Sequence, residues 1–322
     1  LRFDFTHFQA VTPEELRALF ERHDSFFFTA HVSPDGDALG SLAALSLWLK
    51  GKGKKVITVI DDSIDDKFFF IEECQHILRP SDVEAEAGRI GVVLDATDPS
   101  RTGETATLLG DYTVNIDHHV SNAHFADCEY ILTDCAATGE ILTDLFLKWQ
   151  EEITPSMADA LYMAIATDCG FFKFSNTTGH TLRCAAALVD AGARPNRISE
   201  HLEETTLVKT RALSQVLQQI ELFEGGRIAG ISFTEDVLKY TGEHTGGYID
   251  YARRIKGVDV AFTVKAVTGD QTRVSLRSKD VDVNAVAAVF GGGGHIRAAG
   301  CTVNKSLDET KSSLIEEIRK VL

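Results

Sequence analysis

The sequence predicts an α/β protein that has two domains joined by a helical linker. Apolar runs of strand length alternate with helical stretches in the first part of the chain, a pattern typical of a mostly parallel sheet flanked by helices. A polar helical stretch follows, and a smaller set of strands and helices ends the chain. We therefore expect a larger α/β domain at residues 1–194, the linker at 195–226 and a smaller α/β domain at 227–322.

The first domain is predicted from the alternation of strands and helices. Thr12 and Pro13 are typical of a helix start. The continuous apolar run Ser25–Ala30 is typical of a strand covered on both faces. Predicted helices cover residues 13–23, 42–50, 138–150, 156–167 and 178–193, and predicted strands cover 25–30, 55–60, 90–94 and 112–116.

The loop that follows the first of these strands, residues 31–37, contains candidate metal ligands. A proline and a glycine favour turns within it, and His31, Asp35 and Asp37 stand within seven positions. Either aspartate alone would be explained as the N-cap of the following helix. An imidazole and two carboxylates in one loop favour a metal site instead.

Further ionisable residues stand where later elements end. Asp95 directly follows the strand at 90–94, and the nearby Arg101 could contact a phosphate or pair with an acid. Asp168 ends the helix at 156–167, where the helix dipole disfavours a carboxylate. A buried Asp168 therefore needs a cationic partner, and a metal ion would be one.

The triplet Asp117-His118-His119 follows an alternating apolar segment that is predicted to be a strand. Successive side chains of a strand point to opposite faces, but a strand that breaks into a loop can direct two of the three side chains to one site. One histidine could then bind a metal ion while the other has a different task. Taken alone, such a triplet is better explained as a polar turn, so its assignment depends on partners elsewhere.

The second domain contains a candidate substrate-binding segment. A four-glycine run at 291–294 allows backbone N–H groups to approach an anion or a base edge, although a glycine run is more often a flexible linker. Cationic side chains of Arg277, His295 and Arg297 could add charge-assisted hydrogen bonds to a phosphate. Strands are predicted at 227–233, 258–267 and 272–277, and helices at 198–222, 247–256 and 283–290.

The composition restricts the class of ligand and the location. The chain has 322 residues, 44% of them hydrophobic, and a formal net charge of −16. This charge argues against a protein that binds long nucleic acid through clustered Lys and Arg. No apolar run reaches the ~18 residues of a membrane-spanning helix, and no signal-peptide pattern begins the chain, so we expect a cytoplasmic protein without membrane contact. The six cysteines contain no CxxC pair, and we expect neither a disulfide nor a zinc site on them.

The candidate ligands form a set that only cations would stabilise. Four ionised carboxylates carry a charge of −4, which two divalent ions would neutralise. Without metal, carboxylates ~4 Å apart would repel by about 4 kcal/mol per pair at an effective dielectric near 20. Oxygen and imidazole ligands without thiolate favour Mn²⁺, with Mg²⁺ or Co²⁺ as alternatives. The set is His31, Asp35, Asp37, Asp95, His118 and Asp168.

These motifs, in this order, resemble those of the DHH/DHHA1 phosphoesterase family, and the resemblance covers nearly the whole chain. It implies an N-terminal DHH domain, a C-terminal DHHA1 domain and an active site in the cleft between them. Within the family, the motifs are most similar to those of oligoribonucleases that also act as phosphatases on 3′-phosphoadenosine 5′-phosphate. The motifs are His31-x3-Asp35-x-Asp37, Asp95, Asp117-His118-His119, Asp168 and Gly291-Gly292-Gly293-Gly294-His295.

The resemblance also implies a role for each residue. Asp95 would bridge two manganese ions, and Asp117 would orient a ligand histidine. His119 would face the substrate as a general acid or transition-state donor. The implied metal ligands are His31, Asp35 and Asp95 for one ion, and Asp37, Asp95, His118 and Asp168 for the other. The candidate substrate-binding residues are Arg101, Arg277, Ser278, Gly291, Gly292, Gly293, Gly294 and His295.

The function implied is that of a two-metal phosphohydrolase. It would degrade very short RNA to mononucleotides and remove the 3′-phosphate of nucleoside 3′,5′-bisphosphates. A phosphodiesterase for linear dinucleotides from cyclic dinucleotide signalling, such as pGpG and pApA, is the alternative, and a non-catalytic nucleotide sensor is a more distant one. Long duplexes are not expected as partners, and a homodimer is compatible with the sequence.

Overall fold

A computed structural model describes residues 9–242 and 245–322 of the chain. The chain divides into two compact units, and the boundary lies between Glu204 and Thr205. Within the described ranges, no helix is both long and apolar enough to cross a membrane.

The first unit is a parallel sheet with helices, as predicted. Its sheet has the strand order β1-β6-β5-β4-β2-β3, and every neighbouring pair is parallel. The strands are β1 (Gln9–Ala10), β2 (Ser25–Thr29), β3 (Lys55–Thr58), β4 (Ile90–Leu94), β5 (Thr113–Asp117) and β6 (Cys128–Ile131). The helices are α1 (Pro13–Arg22), α2 (Gly36–Gly51), α3 (Thr138–Lys148), α4 (Pro155–Asp168), α5 (Gly179–Asp190) and α6 (Pro195–Glu203).

The sheet is covered on both faces, as the apolar run in β2 predicts. Phe26 and Phe28 are buried in one hydrophobic cluster and Phe27 in another, because successive strand side chains point to opposite faces. The strands β5, β4 and β2 are neighbours in this sheet. Since they run parallel, the residues that follow them meet at one edge of the sheet, which is where α/β proteins place their sites.

The second unit is a mixed sheet covered by helices. Its strand order is β11-β12-β10-β9-β8-β7, in which β8 and β9 are parallel and the other neighbouring pairs are antiparallel. The strands are β7 (Ile220–Phe223), β8 (Ile228–Phe233), β9 (Val260–Thr268), β10 (Gln271–Ser278), β11 (Gly293–His295) and β12 (Ala298–Val303). The helices are α7 (Leu207–Leu217), α8 (Glu235–Thr241), α9 (Tyr248–Arg253), α10 (Val283–Val289) and α11 (Leu307–Arg319).

The predicted linker helix at 198–222 differs from the structure. Helix α6 belongs to the first unit and α7 to the second, and residues 220–223 form strand β7. Strand β7 forms by pairing with β8. The mostly polar, helix-like sequence that precedes it does not reveal this tertiary contact. The segment 195–226 is therefore divided between the two units instead of forming a separate linker.

Candidate metal centre

The loop after β2 places its two aspartates through the start of α2. This helix begins at Gly36, earlier than the predicted residue 42, and Asp35 is its N-cap. The Asp35 carboxylate accepts hydrogen bonds from the backbone N–H groups of Asp37 (2.9 Å) and Ala38 (3.1 Å). The cap interpretation of Asp35 is thus correct, and it coexists with a ligand position because a carboxylate has several lone pairs. Asp37 lies in the first turn and is buried.

The first group of candidate ligands surrounds the imidazole of His31. Nε2 of His31 lies 3.5 Å from Oδ2 of Asp95 and 4.0 Å from Oδ1 of Asp35. Its other ring nitrogen, Nδ1, lies 2.8 Å from the backbone oxygen of Val32. Because a carbonyl oxygen can only accept, Nδ1 carries the proton. The lone pair of Nε2 is therefore directed at the carboxylates, where a cation would bind it.

The second group surrounds His118. Nε2 of His118 lies 3.5 Å from Asp95 Oδ1, 3.6 Å from Asp168 Oδ2 and 3.7 Å from Asp37 Oδ2. Its Nδ1 lies 3.3 Å from the carbonyl oxygen of Cys135, so Nδ1 again carries the proton. Nε2 is buried and has no hydrogen-bond partner within the residues that the structure describes. A buried nitrogen without a partner among three carboxylates fits a metal ligand.

Asp95 is the residue that the two groups share. One of its carboxylate oxygens faces His31 and the other faces His118. The side chain is 2% exposed, and the backbone adopts φ 55° in the left-handed region. A non-glycine residue pays of order 1–3 kcal/mol for this conformation, and such strain persists where surrounding structure requires it. Each oxygen of Asp95 is thus available to a different ion.

The start of α3 holds the acids in place, a contribution that the sequence did not reveal. The backbone N–H groups of Thr138 and Gly139 donate to the two oxygens of Asp37 at 2.7 and 2.8 Å. The Thr138 hydroxyl donates to Asp95 at 3.1 Å. A helix N-terminus stabilises negative charge, so α3 favours the ionised form of Asp37. Asp37 lies about a hundred residues before Thr138 and Gly139 in the chain, and the local signal was a Thr-Gly pair opening a predicted helix.

The acids nevertheless repel one another. Burial, assisted by the carboxylates of Asp95 and Asp168, raises the pKa of Asp37 well above its usual range. Burial also raises the pKa of Asp168 to about 6, although His118 opposes the shift. For Asp95 burial acts in the same direction, but the imidazoles of His31, His118 and His119 outweigh it and lower the pKa. A protein without cations here would have to protonate some of these acids, whereas divalent cations would stabilise all of them ionised.

His119 occupies a different position from His118. Its Nδ1 donates to Oδ1 of Asp117 at 2.7 Å, and 42% of its side chain is exposed. The hydrogen bond to Asp117 raises the pKa of His119 to about 9. Asp117 itself is fully buried and also accepts hydrogen bonds from the backbone of His118 and from Asn122.

The role predicted for Asp117 needs correction. It was expected to orient a metal-binding histidine, but the ring that it holds is that of His119, while the backbone carbonyl of Cys135 holds His118. The reason is the turn after β5, which directs the two imidazoles to different partners. Asp117 therefore positions the exposed histidine of the triplet.

Arg101 lies on the short helical segment Pro99–Leu108 that follows β4. Its backbone carbonyl accepts a 2.7 Å hydrogen bond from the N–H of Val32, which fixes this segment beside the His31 loop. The side chain is exposed. Arg101 is thus available to an anion near the first group of ligands.

In the second unit, Arg277 and Ser278, which were predicted to bind substrate, line an open depression of about 440 Å³. Two cationic residues that line it, Arg253 and Lys279, were missed because single basic residues give no signal in a sequence. The Ser278 hydroxyl donates to the carbonyl of Val281, so it is already engaged. The full lining is Asp250, Arg253, Arg277, Ser278, Lys279, Asp280 and Arg297.

The four-glycine run is more ordered than a loop. Gly293, Gly294 and His295 form β11, which pairs with β12. A side chain at Gly294 would stand 2.4 Å from the carbonyl oxygen of Ala298, so close backbone approach requires glycine there. Ala298 pairs with His295 on one side and with Arg277 of β10 on the other. Residues directly opposite one another share a face of the sheet, which puts His295 and Arg277 on the same face.

Comparison with known proteins agrees with this arrangement. The DHH family N-terminal domain model matches residues 25–165, and the DHHA1 domain model matches residues 231–322. The chain is 31% identical over 299 residues to the bifunctional oligoribonuclease and PAP phosphatase NrnA of Thermus thermophilus, covering 92% of this chain and 90% of that protein. The chain belongs to the DHH/DHHA1 phosphoesterase family. The predicted resemblance and fold class are confirmed, and with them the metal-dependent hydrolase class.

Two further similarities, one to a protein sequence and one to a solved fold, cover most of the chain. NrnA of Bacillus subtilis is 25% identical over 295 residues, which cover 90% of this chain and 92% of that protein. The crystal structure of an exopolyphosphatase-related protein from Bacteroides fragilis has the same fold, with a TM-score of 0.84, 22% identity and coverage of 96% and 95%. The DHH match contains the candidate ligands from His31 to His118, and Asp168 lies three residues beyond it.

Proposed function

We propose that this DHH/DHHA1 protein hydrolyses very short RNA oligonucleotides to mononucleotides and removes the 3′-phosphate from nucleoside 3′,5′-bisphosphates. The observation that carries the proposal is the position of Asp95, whose two oxygens face separate groups of ligands. The names of the Thermus thermophilus and Bacillus subtilis relatives, which match over nine tenths of this chain, support both activities. We also propose a cytoplasmic location, where products of RNA turnover would be recycled.

The proposal includes two divalent ions, with Mn²⁺ preferred. The donors are carboxylate oxygens and imidazole nitrogens without a thiolate, a set that suits Mn²⁺ or Mg²⁺. When bound, such a pair of ions neutralises the charge of a phosphoryl group and makes water more acidic. His31, Asp35 and Asp95 would hold one ion, and Asp95 would share the other with the second group. That second group is Asp37, His118 and Asp168.

His119 would act on the substrate. Its Nδ1 is held by the buried Asp117, which leaves the exposed Nε2 edge of the ring for a phosphate or leaving-group oxygen. The hydrogen bond to Asp117 raises the pKa of His119 and so favours the protonated imidazole. A protonated donor can hydrogen-bond a phosphoryl oxygen and can transfer a proton to the departing ribose hydroxyl. Arg101, exposed beside the His31 loop, would contact a further phosphate oxygen.

The second unit would bind the nucleotide. Guanidinium groups form paired hydrogen bonds with phosphate, and the depression that contains Arg253 and Arg277 supplies such groups. His295, on the same sheet face as Arg277, would contact a base or a phosphate. Four cationic side chains line this depression, in a chain with a net charge of −16. This local distribution suits a short substrate, because long strands need an extended basic track.

A substrate panel tests the proposal. Purified protein loaded with Mn²⁺ is incubated with RNA of two to ten nucleotides, with an adenosine 3′,5′-bisphosphate, and with pGpG and pApA. We expect the shortest RNA and the bisphosphate to be hydrolysed, with activity lost after chelation and restored by Mn²⁺. Intact dinucleotides and intact bisphosphate would refute the proposal, and a specificity constant that is highest for pGpG or pApA would favour the signalling alternative.

A further inference from the structure

A second cluster of acidic, imidazole and thiol side chains lies between α3 and α5 and shares no residue with the groups around His31 and His118. Helix α3 presents Glu140 and Asp144, and α5 presents His180 and Cys184. Both pairs have i,i+4 spacing, which puts the two side chains of a pair on one face of their helix. The helices pack on each other, and ligand atoms of Glu140, His180 and Cys184 all lie within 4.8 Å of one another. Asp144 approaches this group through His180, while its other oxygen pairs with Lys148.

Two of the three distances from His180 lie in the range of donors around one metal ion, and the third is slightly longer. Nε2 of His180 lies 3.6 Å from Sγ of Cys184, 3.6 Å from Oδ1 of Asp144 and 4.0 Å from Oε1 of Glu140. Donors bound about 2.0–2.3 Å from a tetrahedral zinc ion stand roughly 3.3–3.8 Å apart. Small side-chain adjustments would therefore close this group around an ion.

Burial and hydrogen bonding leave the relevant atoms available. Glu140 and Cys184 are almost fully buried, whereas 43% of the His180 side chain is exposed and gives an ion access from solvent. The other oxygen of Glu140, Oε2, accepts hydrogen bonds from the Thr181 hydroxyl and the Ala136 N–H. These bonds fix the carboxylate and leave Oε1 directed at His180.

We propose that Glu140, His180 and Cys184 form a separate site for Zn²⁺, with Asp144 or water in the fourth position. The donor set differs from that of the metal centre because it contains a sulfur ligand. Thiolate and imidazole donors select zinc over manganese or magnesium. The sequence indicated no zinc site because its ligands come from two helices, each contributing a pair that carries no signal alone.

Two simpler uses of Cys184 fit less well. A nucleophilic or redox-active cysteine needs a thiolate, but burial and the Glu140 carboxylate raise the pKa of Cys184 to about 12. An ion pair between His180 and the acids would explain Glu140 and Asp144 but gives no reason for a buried sulfur at 3.6 Å from the ring nitrogen. A metal ion uses all of these groups.

The zinc site would support the metal centre through one short segment, residues 135–140. The Cys135 carbonyl holds His118, and the N–H groups of Thr138 and Gly139 hold Asp37. Glu140, at the end of this segment, belongs to the zinc cluster. Zinc would thus fix the backbone that positions the other ligands, without contacting the substrate.

Cobalt binding tests the site directly. Protein whose metal centre is already loaded with Mn²⁺ is titrated with Co²⁺, and the near-ultraviolet absorption from thiolate-to-cobalt charge transfer is recorded. We expect about one equivalent of Co²⁺ to produce the band and Zn²⁺ to abolish it by competition. Cobalt in the metal centre cannot produce this band, because its six predicted ligands include no cysteine.

Two variants and a control locate the band. We expect Cys184→Ser to eliminate it. His180→Asn, at a partly exposed position, should weaken Co²⁺ binding by more than about 100-fold, since loss of a group that only supports a ligand already costs about 10–100-fold. Cys74→Ser, at another buried cysteine of the first unit, should keep the band. Absence of the band in the wild-type protein, or its persistence in Cys184→Ser, would overturn the proposal.

Discussion

The metal centre of the first unit and the depression of the second unit use opposite electrostatics. The first gathers buried carboxylates and imidazoles around Asp95, so that it attracts cations. The second gathers four cationic side chains and two aspartates in an open depression, a set with a net positive charge that favours anions. A buried charge needs fixed partners, whereas an exposed charge is already stabilised by water.

This difference determines how precisely each region is built. The candidate ligands of the metal centre stand at the ends of strands and helices, and backbone groups hold two of them: N–H groups of α3 hold Asp37, and the carbonyl of Cys135 holds His118. In the depression, Arg277 and Arg253 are held by little more than local contacts, to the Leu276 carbonyl and to Asp250. We therefore expect changes in the first region to alter metal content and turnover, and changes in the second to alter substrate affinity.

The largest effect is expected for the substitution Asp95→Asn in the metal centre. A neutral amide cannot neutralise and bridge two cations, so we expect a loss of at least about 10³-fold in kcat. Bound Mn²⁺, measured by elemental analysis, should fall from two ions per chain to one or fewer. The exposed Asp111→Asn is the matched control and should retain both ions and activity. Full metal content in Asp95→Asn would contradict the bridging role.

A pair of variants separates the two adjacent histidines. His119→Ala should lower kcat by about 10²-fold or more, because a proton donor contributes that much, while Mn²⁺ content stays normal. His118→Ala should lose one ion, since its buried Nε2 faces three carboxylates. Metal analysis and single-turnover rates distinguish the outcomes. Equal metal loss in both variants would show that the histidines share one task.

Thr138→Val tests the contribution of α3. The substitution removes the hydroxyl that donates to Asp95 but keeps the backbone N–H that donates to Asp37. Loss of such a partner typically costs about 10–100-fold in metal affinity. Calorimetric titration of the metal-free protein with Mn²⁺ measures the change, and Thr138→Ser, which retains the hydroxyl, should bind nearly as well as the wild type. Unchanged affinity in Thr138→Val would limit the role of α3 to its backbone.

The smallest effect is expected in the depression. Arg277→Gln should raise KM for a dinucleotide about tenfold, the value of one charge-assisted hydrogen bond at a partly exposed site. Metal content and kcat should change little. Arg211→Gln, at an exposed position of α7 outside the depression, is the control. A fall in kcat at constant KM would place Arg277 in the chemical step instead.

The approach of the candidate ligands could be predicted from sequence because parallel strands bring their carboxyl ends together. Asp95 and His118 follow neighbouring strands, so their approach depends only on sheet topology. The hydrogen bonds from Thr138 and Gly139 to Asp37 could not be predicted, because they depend on how α3 packs beside α2. The individual roles within the triplet required atomic positions, since adjacent residues differ only in ring orientation.

The second unit was harder to predict for a related reason. Strand β7 and the order of residues 291–295 depend on pairing with β8 and β12. These edge strands are short, of four and three residues, so their local sequence gives little strand signal. Arg253 and Lys279 join Arg277 only after α9 and β10 have folded against each other.

Electron paramagnetic resonance of the Mn²⁺-loaded protein tests the central claim, that Asp95 joins two metal ions in one centre. Ions about 3.5–4 Å apart that share a carboxylate are magnetically coupled. We predict the spectrum of a coupled manganese pair in the wild-type protein and its loss in Asp95→Asn. A wild-type spectrum of isolated Mn²⁺ ions at full occupancy would contradict the account.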